Sequence, residues 1–347
     1  MKYSVIIPVF NRPDEVDELL ESLTHQTEQD FEVVVVEDGS TLPCRDVCDK
    51  YTGQLDLHYH FKDNSGPGQS RNYGAAHAHG DFLLILDSDV VLPKTYIACV
   101  SRELSDNPCD AFGGPDRSHE SFSNTQKAIS YSMTSFLTTG GIRGGKRKLD
   151  KFYPRSFNMG IRREVYEKLG GFSKMRFGED IDFSIRIFKA GYRCRLFPSA
   201  WVWHKRRTDF RKFFRQVYNS GIARINLYKK YPDSLKLVHL LPAIFTAGVI
   251  LLVLVSAVGR ALMHYDPGHF HTWYLVCAIP WLPILAFTIL VFIDAAIRNH
   301  SIVIGIKSIA ASFIQLFGYG CGFLVAWWKR CVLGKNEFQA FEKTFYD

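Results

Sequence analysis

Residues 2–10, "KYSVIIPVF", and 31–38, "FEVVVVED", are apolar runs of strand length, as expected of strands buried on both faces. Between them, "RPDEVDELLESLTHQ" (12–26) sets Val16, Leu19, Leu20 and Leu23 at helical spacing and predicts an amphipathic helix. The alternation continues with a strand in "LDLHYHF" (55–61), a helix opened by a glycine-containing turn in "GQSRNYGAAHAHG" (68–80) and a strand in "DFLLILD" (81–87). Strand and helix in this order, joined by right-handed crossovers, predict an α/β fold with a doubly wound, mainly parallel sheet. Ligands of such sheets gather beyond the carboxyl ends of the strands. Both "EDGS" (37–40) and "DSD" (87–89) fall there.

The pattern changes at Leu240. Three mostly apolar segments follow: "LLPAIFTAGVILLVLVSAVGRALM" (240–263), "TWYLVCAIPWLPILAFTILVFIDAA" (272–296) and "IAASFIQLFGYGCGFLVAWW" (309–328). About 20 residues of helix cover the roughly 30 Å hydrocarbon core of a bilayer, so a helical transmembrane region is expected. Trp273, Tyr274, Trp327 and Trp328 stand at segment ends, as interfacial aromatics do. Lys229, Lys230 and Lys236 precede the first segment, whereas the loop "HYDPGHFH" (264–271) has neither Lys nor Arg. That bias predicts a multi-pass protein of the inner (plasma) membrane with its N-terminal domain in the cytoplasm. The third segment leaves two readings open. A third crossing would put "KRCVLGKNEFQAFEK" (329–343) outside, against the charge bias; a re-entrant or interfacial helix around "FGYGCGF" would return the tail to the cytoplasm. The expected division is a soluble domain over 1–208, a basic amphipathic helix and linker over 209–236, a membrane region over 237–330 and a tail over 331–347.

Charge and composition refine this picture. A formal net charge of +7 would suit nucleic acid, but the basic residues concentrate in "GGIRGGKRKLDK" (140–151) and "HKRRTDFRKFFRQ" (204–216). The second patch lies shortly before the apolar section, so anionic lipid headgroups are the expected partner and nucleic acid is not. The eight cysteines are scattered, without CxxC pairs or zinc-module spacing, and read as reduced structural thiols. The N-terminal apolar run is short, contains Pro8 and lacks a small-residue cleavage site, so it reads as a first strand.

Each candidate for chemistry also has a plain structural reading. Asp38 can accept from an N–H of a flat nucleobase, or can cap a helix for about 1 kcal/mol. "NSGPGQSRN" (64–72) offers backbone N–H groups and Arg71 to a phosphate, while matching neither the P-loop nor the dinucleotide pattern. Asp87 and Asp89 leave the same side of an extended segment and suit one hard divalent cation; in isolation they are two solvated turn residues. In "RFGEDIDFSIRIFKAGYR" (176–193), Glu179, Asp180 and Asp182 precede Ile181, Ile185 and Phe188 at helical spacing. Acids there complement a helix dipole, and Asp180 can also serve as a general base. His204, after the aromatic strand "WVW", is a structural histidine or a ligand to a Mn²⁺-like ion. "DFRKFFRQVYNSGIARINLYKKY" (209–231) gathers Phe210, Phe213, Phe214, Val217, Tyr218, Ile222 and Ile225 on one face, which suits a membrane surface or packing on the soluble domain.

As an ordered set, "VIIPVFNR", "VVEDGS", "GPGQSRN", "LDSD", "FNMGIRREVYEKLGGF" (157–172) and "GEDIDFSIR" resembles the family 2 glycosyltransferases of GT-A fold over roughly residues 3–205. The resemblance implies an inverting enzyme that moves a sugar from a nucleotide-diphosphate donor to an acceptor hydroxyl. It implies Pro8, Asp38, Gly66, Arg71, Asp87 and Ser88 on the donor side. Asp87 and Asp89 would form the DxD motif, with Asp89 the more direct contact to Mn²⁺ or Mg²⁺ and His204 assisting. Asn158, Met159, Gly160 and Glu179 would border the acceptor, and Asp180 would be the catalytic base. The QxxRW signature of processive synthases is missing; "RQVYNSGIAR" (215–224) occupies that region, which favours addition of a single sugar. The glycine-rich, basic "TTGGIRGGKRKLDKFYPRS" (138–156) reads as a lid over the donor or as a solvated loop. The membrane segments suit a lipid-linked or envelope glycan acceptor, or a polyprenyl phosphate. A sugar nucleotidyltransferase and a degenerate membrane-bound sugar-nucleotide-binding protein are the rival classes.

Overall fold

The computed structural model describes residues 2–117, 119, 122–140, 153–175, 177–205 and 207–337. In chain order its elements are β1 (Tyr3–Val9), α1 (Pro13–Thr24), β2 (Phe31–Asp38), α2 (Arg45–Asp49), β3 (Asp56–Lys62), α3 (Pro67–His77), β4 (Phe82–Leu86) and β5 (Val90–Val91). There follow α4 (Tyr96–Asp106), β6 (Ala111–Gly113), β7 (Asp116–Arg117), α5 (Asn124–Thr134), α6 (Phe136–Thr139), β8 (Asn158–Arg162), α7 (Arg163–Lys168), α8 (Glu179–Lys189), β9 (Cys194–Leu196) and β10 (Val202–His204). The last five helices are α9 (Phe210–Lys230), α10 (Leu237–Tyr265), α11 (Phe270–Ala278), α12 (Leu282–Asn299) and α13 (Ile302–Trp327). Among the described residues, 2–119 and 153–205 form one compact unit, and 122–140 with 207–337 form a second. The helices α5 and α6 therefore group with the apolar helices of the second unit.

The first unit is a mixed, mostly parallel sheet of order β3-β2-β1-β4-β8-β6-β9. Strands β3, β2, β1 and β4 are parallel, β8 runs antiparallel between β4 and β6, and β9 pairs parallel with β6. Every residue of β1, β2 and β4 is buried, as uninterrupted apolar strands between helical layers should be. On one face Val16, Leu19, Leu20 and Leu23 of α1 join Val5, Ile7, Val33 and Leu84; on the other Ile6, Val34 and Ile85 meet Phe172, Phe183 and Ile187. The buried face of α8 thus turns on Phe183 and Ile187, with the expected Ile181 and Phe188 only half-buried. A small second sheet, β5-β10-β7, lies beyond the end of β4.

In the second unit α13 is the central helix, with α5, α9, α10 and α12 packed around it. Its contact with α9 is close: a Cβ at Gly322 would overlap the Tyr218 backbone, and one at Gly221 would overlap the backbone at Tyr319. The stretch from Ile302 is one uninterrupted helix to Trp327, without the break that a re-entrant segment would have at its glycines. Among the described residues, three stretches are long and apolar enough to cross a membrane: Leu237–Tyr265, Phe270–Asn299 and Ile302–Val332.

Candidate active site

The site is assembled where β1, β2 and β4 end, beside the start of α8 and the small sheet. Asp38, the last residue of β2, is buried. Its Oδ1 accepts from the Ser65 backbone N–H at 2.9 Å and from Lys62, and its Oδ2 accepts from the Gly66 N–H at 2.9 Å. The carboxylate therefore fastens β2 to the loop that opens α3, just ahead of the helix's first turn. Gly66 takes a φ of 91° at this entry, a backbone state that favours glycine. Neighbouring Glu37 accepts from the Cys44 N–H at 2.7 Å and from Ser40, stitching the β2 loop together.

The "DSD" stretch differs from its expected geometry. It is a turn between β4 and β5, closed by Val90 N–H donating to the Asp87 carbonyl at 3.3 Å, rather than an extended segment. The two side chains consequently engage different cations. Arg71, buried on α3, donates through Nη2 to Asp87 Oδ1 at 2.7 Å and through Nη1 to Glu179 Oε1 at 3.1 Å, with its guanidinium carbon 5.2 Å from the centre of the Phe172 ring. Asp89 Oδ2 accepts from Arg12 Nη1 at 2.6 Å, and its Oδ1 lies 3.1 Å from His204 Nε2. The repulsion within "DSD" is thus relieved by two arginines.

His204 is delivered by the pairing of β10 with β5, which sets it opposite Val90. Its ring stacks on Phe157 (4.8 Å between centroids), and Nδ1 lies 3.9 Å from Asp116 Oδ2. Ligand atoms of Asp87, Asp89 and His204 all fall within 4.8 Å of one another.

Glu179 and Asp180 open α8 and titrate apart. Burial pushes Glu179 up, and the charge of Asp180 adds to this, with Arg71 opposing. Burial pushes Asp180 up as well, but Arg155 and the Ile181 N–H outweigh it and hold its pKa below the ordinary value. The contacts responsible are Arg155 Nε to Asp180 Oδ2 at 2.6 Å and Ile181 N to Asp180 Oδ1 at 2.8 Å. Asp182 instead anchors the approach to the helix, accepting from Ser173 Oγ at 2.6 Å and Arg186 Nε at 3.0 Å.

Asp38, Arg71, Asp87, Asp89, Glu179, Asp180 and His204 thus lie along one connected edge of this unit. Ser88 is buried within the turn, and Pro8 is buried in β1 opposite Val36. Asn158, Met159 and Gly160 lie in β8, inside the core: Asn158 accepts from Tyr96 OH at 2.6 Å and donates to the Ala200 carbonyl at 2.8 Å, Met159 packs with the core, and Gly160 lies under the Phe112 ring. Most of the stretch expected to form a lid, residues 141–152, lies outside the described residues. Sequence reasoning missed Arg12, Lys62, Asp116 and Arg155. The available signal was position, since Lys62 ends β3 and Arg12 lies just past β1, the strands that neighbour the acid-bearing β2 and β4 in the sheet.

Residues 4–170 match the profile described as "Glycosyl transferase family 2". The chain is similar to a probable glycosyltransferase, YdaM, of Bacillus subtilis, at 27% identity over 242 residues, 65% of this chain and 56% of that one. It is 30% identical over 201 residues to an uncharacterized glycosyltransferase of Haemophilus influenzae, 54% of this chain and 62% of that one. The chain therefore spans about three-fifths of the length of these relatives. Among solved structures, the mannosyltransferase PcManGT of Pyrobaculum calidifontis, in complex with GDP-Man and Mn²⁺, shares the fold with a TM-score of 0.55 at 20% identity, over 80% of this chain and 86% of that one.

Proposed function

The chain belongs to glycosyl transferase family 2, and from that membership we propose that it is a membrane-anchored inverting glycosyltransferase adding a single sugar to an acceptor hydroxyl. The observation that carries the reading is Arg71, one buried guanidinium bound to both Asp87 and Glu179. It joins Asp87 at the end of β4 to Glu179 at the start of α8 in one cluster, as a reaction between a nucleotide-diphosphate sugar and an acceptor requires.

In this reading Asp38 receives the donor base, with Pro8 and Gly66 beside it, and Arg71, Asp87 and Ser88 attend the diphosphate. Two carboxylates and an imidazole within 4.8 Å form a donor set that suits Mn²⁺ or Mg²⁺, held by Asp89, Asp87 and His204. When bound, such a cation neutralises the negative charge that builds on the departing diphosphate. Arg12 and Arg71 already neutralise the same carboxylates. Asp180, kept ionised by Arg155, takes the proton of the attacking hydroxyl. Glu179 shares the acceptor side, and Asn158, Met159 and Gly160 form the wall behind it.

The apolar helices favour an acceptor held in the membrane, a lipid-linked or envelope glycan or a polyprenyl phosphate. The fold relative with GDP-Man and Mn²⁺ supports the same classes of donor and cation. The test is to assay the full chain in lipid against a panel of nucleotide sugars, with and without Mn²⁺ or Mg²⁺. Release of nucleoside diphosphate supports transfer; release of pyrophosphate from a nucleoside triphosphate would identify a nucleotidyltransferase, and neither product a binding protein.

A further inference from the structure

The three long apolar stretches differ in their surroundings. Of the most apolar window in each, 11% and 6% is buried in the first two, but 50% in the third. From Ala311 to Ala326, no residue of α13 is exposed. Lipid-facing helices expose their apolar side chains to hydrocarbon; α13 spends its own on protein.

The course of α13 separates it further. Trp281 Nε1 donates to Ser256 Oγ at 3.0 Å, and a Cβ at Gly259 would overlap Cys277, so α10 and the following helices form an antiparallel hairpin. Phe245 meets Phe287 (6.2 Å between centroids) in nearly the same register. In that register, Phe292 and Ala296 lie level with the first turns of α10. Gly305, early in α13, abuts Phe292 and Ala296, and Gly320 abuts Pro242 and Thr246 of α10. Beyond it, Phe323, Leu324 and Trp327 line one cavity with Leu240, Ala243 and Ala247. Fifteen residues of helix advance about 22 Å. Both ends of that span meet the hairpin at the same depth, so α13 runs crosswise at the hairpin's open end.

The neighbour of α13 gives an independent reason. Helix α9 lies along it in backbone contact and exposes Arg211, Lys212, Arg215, Lys229 and Lys230. Were α13 to span the bilayer, α9 would enter with it and bring its basic side chains into or against hydrocarbon, which charged groups resist.

We propose that α13 does not cross the membrane but lies with α9 and α5 along its cytoplasmic surface, so that the chain crosses twice, through α10 and through α11 and α12. The partner of this helical layer is the anionic headgroup region, which α9 meets with its basic side chains. Lys329, Arg330 and Lys335 then share a side with Lys229, Lys230 and Lys236, and the charge bias that opposed a third crossing is satisfied. The inference rests on the membrane anchoring of the preceding reading and not on its chemistry.

The test is to place alkaline phosphatase or a fluorescent protein after Asp347 and, in separate chains, at Gly268 in the loop between α10 and α11, with insertion confirmed by resistance to carbonate extraction. The expected result is active phosphatase and a dark fluorescent protein at Gly268, with inactive phosphatase and fluorescence at Asp347. Active phosphatase at Asp347 would establish a third crossing and overturn the proposal. A cytoplasmic Gly268 would overturn it too, and with it the membrane anchoring; nucleoside diphosphate release, measured on the same chains, reports the chemistry separately.

Discussion

Arg12 donates to Asp89 across 2.6 Å and so ties the loop after β1 to the turn after β4. The guanidinium occupies an oxygen that a divalent cation would use. Removing it takes away a competitor, so Arg12→Met should bind Mn²⁺ severalfold more tightly, read by calorimetry, while Asp89→Asn should lose the binding and lower transfer about 100-fold or more. Weaker Mn²⁺ binding in Arg12→Met would show that the arginine builds the site and does not compete for it.

Arg155 is a positioning residue for Asp180, and a pH profile separates that role from bulk packing. With its pKa depressed, Asp180 stays ionised as pH falls into the ordinary carboxylate range, so kcat/KM should hold at mildly acidic pH. Arg155→Met removes the main opposing charge and leaves burial to raise Asp180, so the acid limb should move to higher pH. Asp180→Asn should lose activity at every pH, and an unmoved limb in Arg155→Met would detach the arginine from the base.

Far from the site, Glu32 on β2 contributes to acid stability. It is 1% exposed, and its carboxylate accepts from Ser4 Oγ at 2.5 Å, from Gly80 N at 3.1 Å and from His79. Burial raises its pKa, but these hydrogen bonds prevail and lower it to about 2. A depressed carboxylate contributes stability that is present above its unfolded value near 4.5 and is lost as pH falls toward 2, about 3 kcal/mol in all. Glu32→Gln should therefore lower Tm at pH 7 and flatten the change of Tm between pH 4.5 and 2; an unchanged slope would remove Glu32 from the account.

Gly160 marks the closest approach of β8 to the ring of Phe112, where an added Cβ would overlap the ring. Gly160→Ala should cost about 1–3 kcal/mol by overpacking, measured by denaturant unfolding of the membrane-extracted protein. Adding Phe112→Leu should recover part of it, since the two changes share one space.

The parallel half of the sheet was legible because its strands are uninterrupted apolar runs and α1 keeps strict helical spacing; Val16, Leu19, Leu20 and Leu23 are all buried. Strand β8 was not. Its five residues carry no period of their own and are fixed as a strand by β4 and β6, partners distant in sequence. Strand β7, of two residues, is too short for any periodic signal. The acids of the site were legible because they end strands or begin a helix. Of their cationic partners only Arg71 was read as a site residue, and its carboxylates were not, since Arg12, Lys62, Arg71 and Arg155 come from four separate places and only the fold decides which carboxylate each one meets.

That pairing bears on how the site responds to ionic strength. Asp38, Asp87, Asp89, Glu179 and Asp180 face Lys62, Arg12, Arg155 and an Arg71 shared by Asp87 and Glu179, so the site carries only a small net negative charge. A cation and a diphosphate entering together bring charges that largely cancel, and binding becomes an exchange of partners in a nearly neutral crevice. Donor capture then owes little to long-range attraction and much to short-range fit, so added salt should leave it almost unchanged, whereas the attachment of basic α9 to an anionic bilayer should weaken as salt rises.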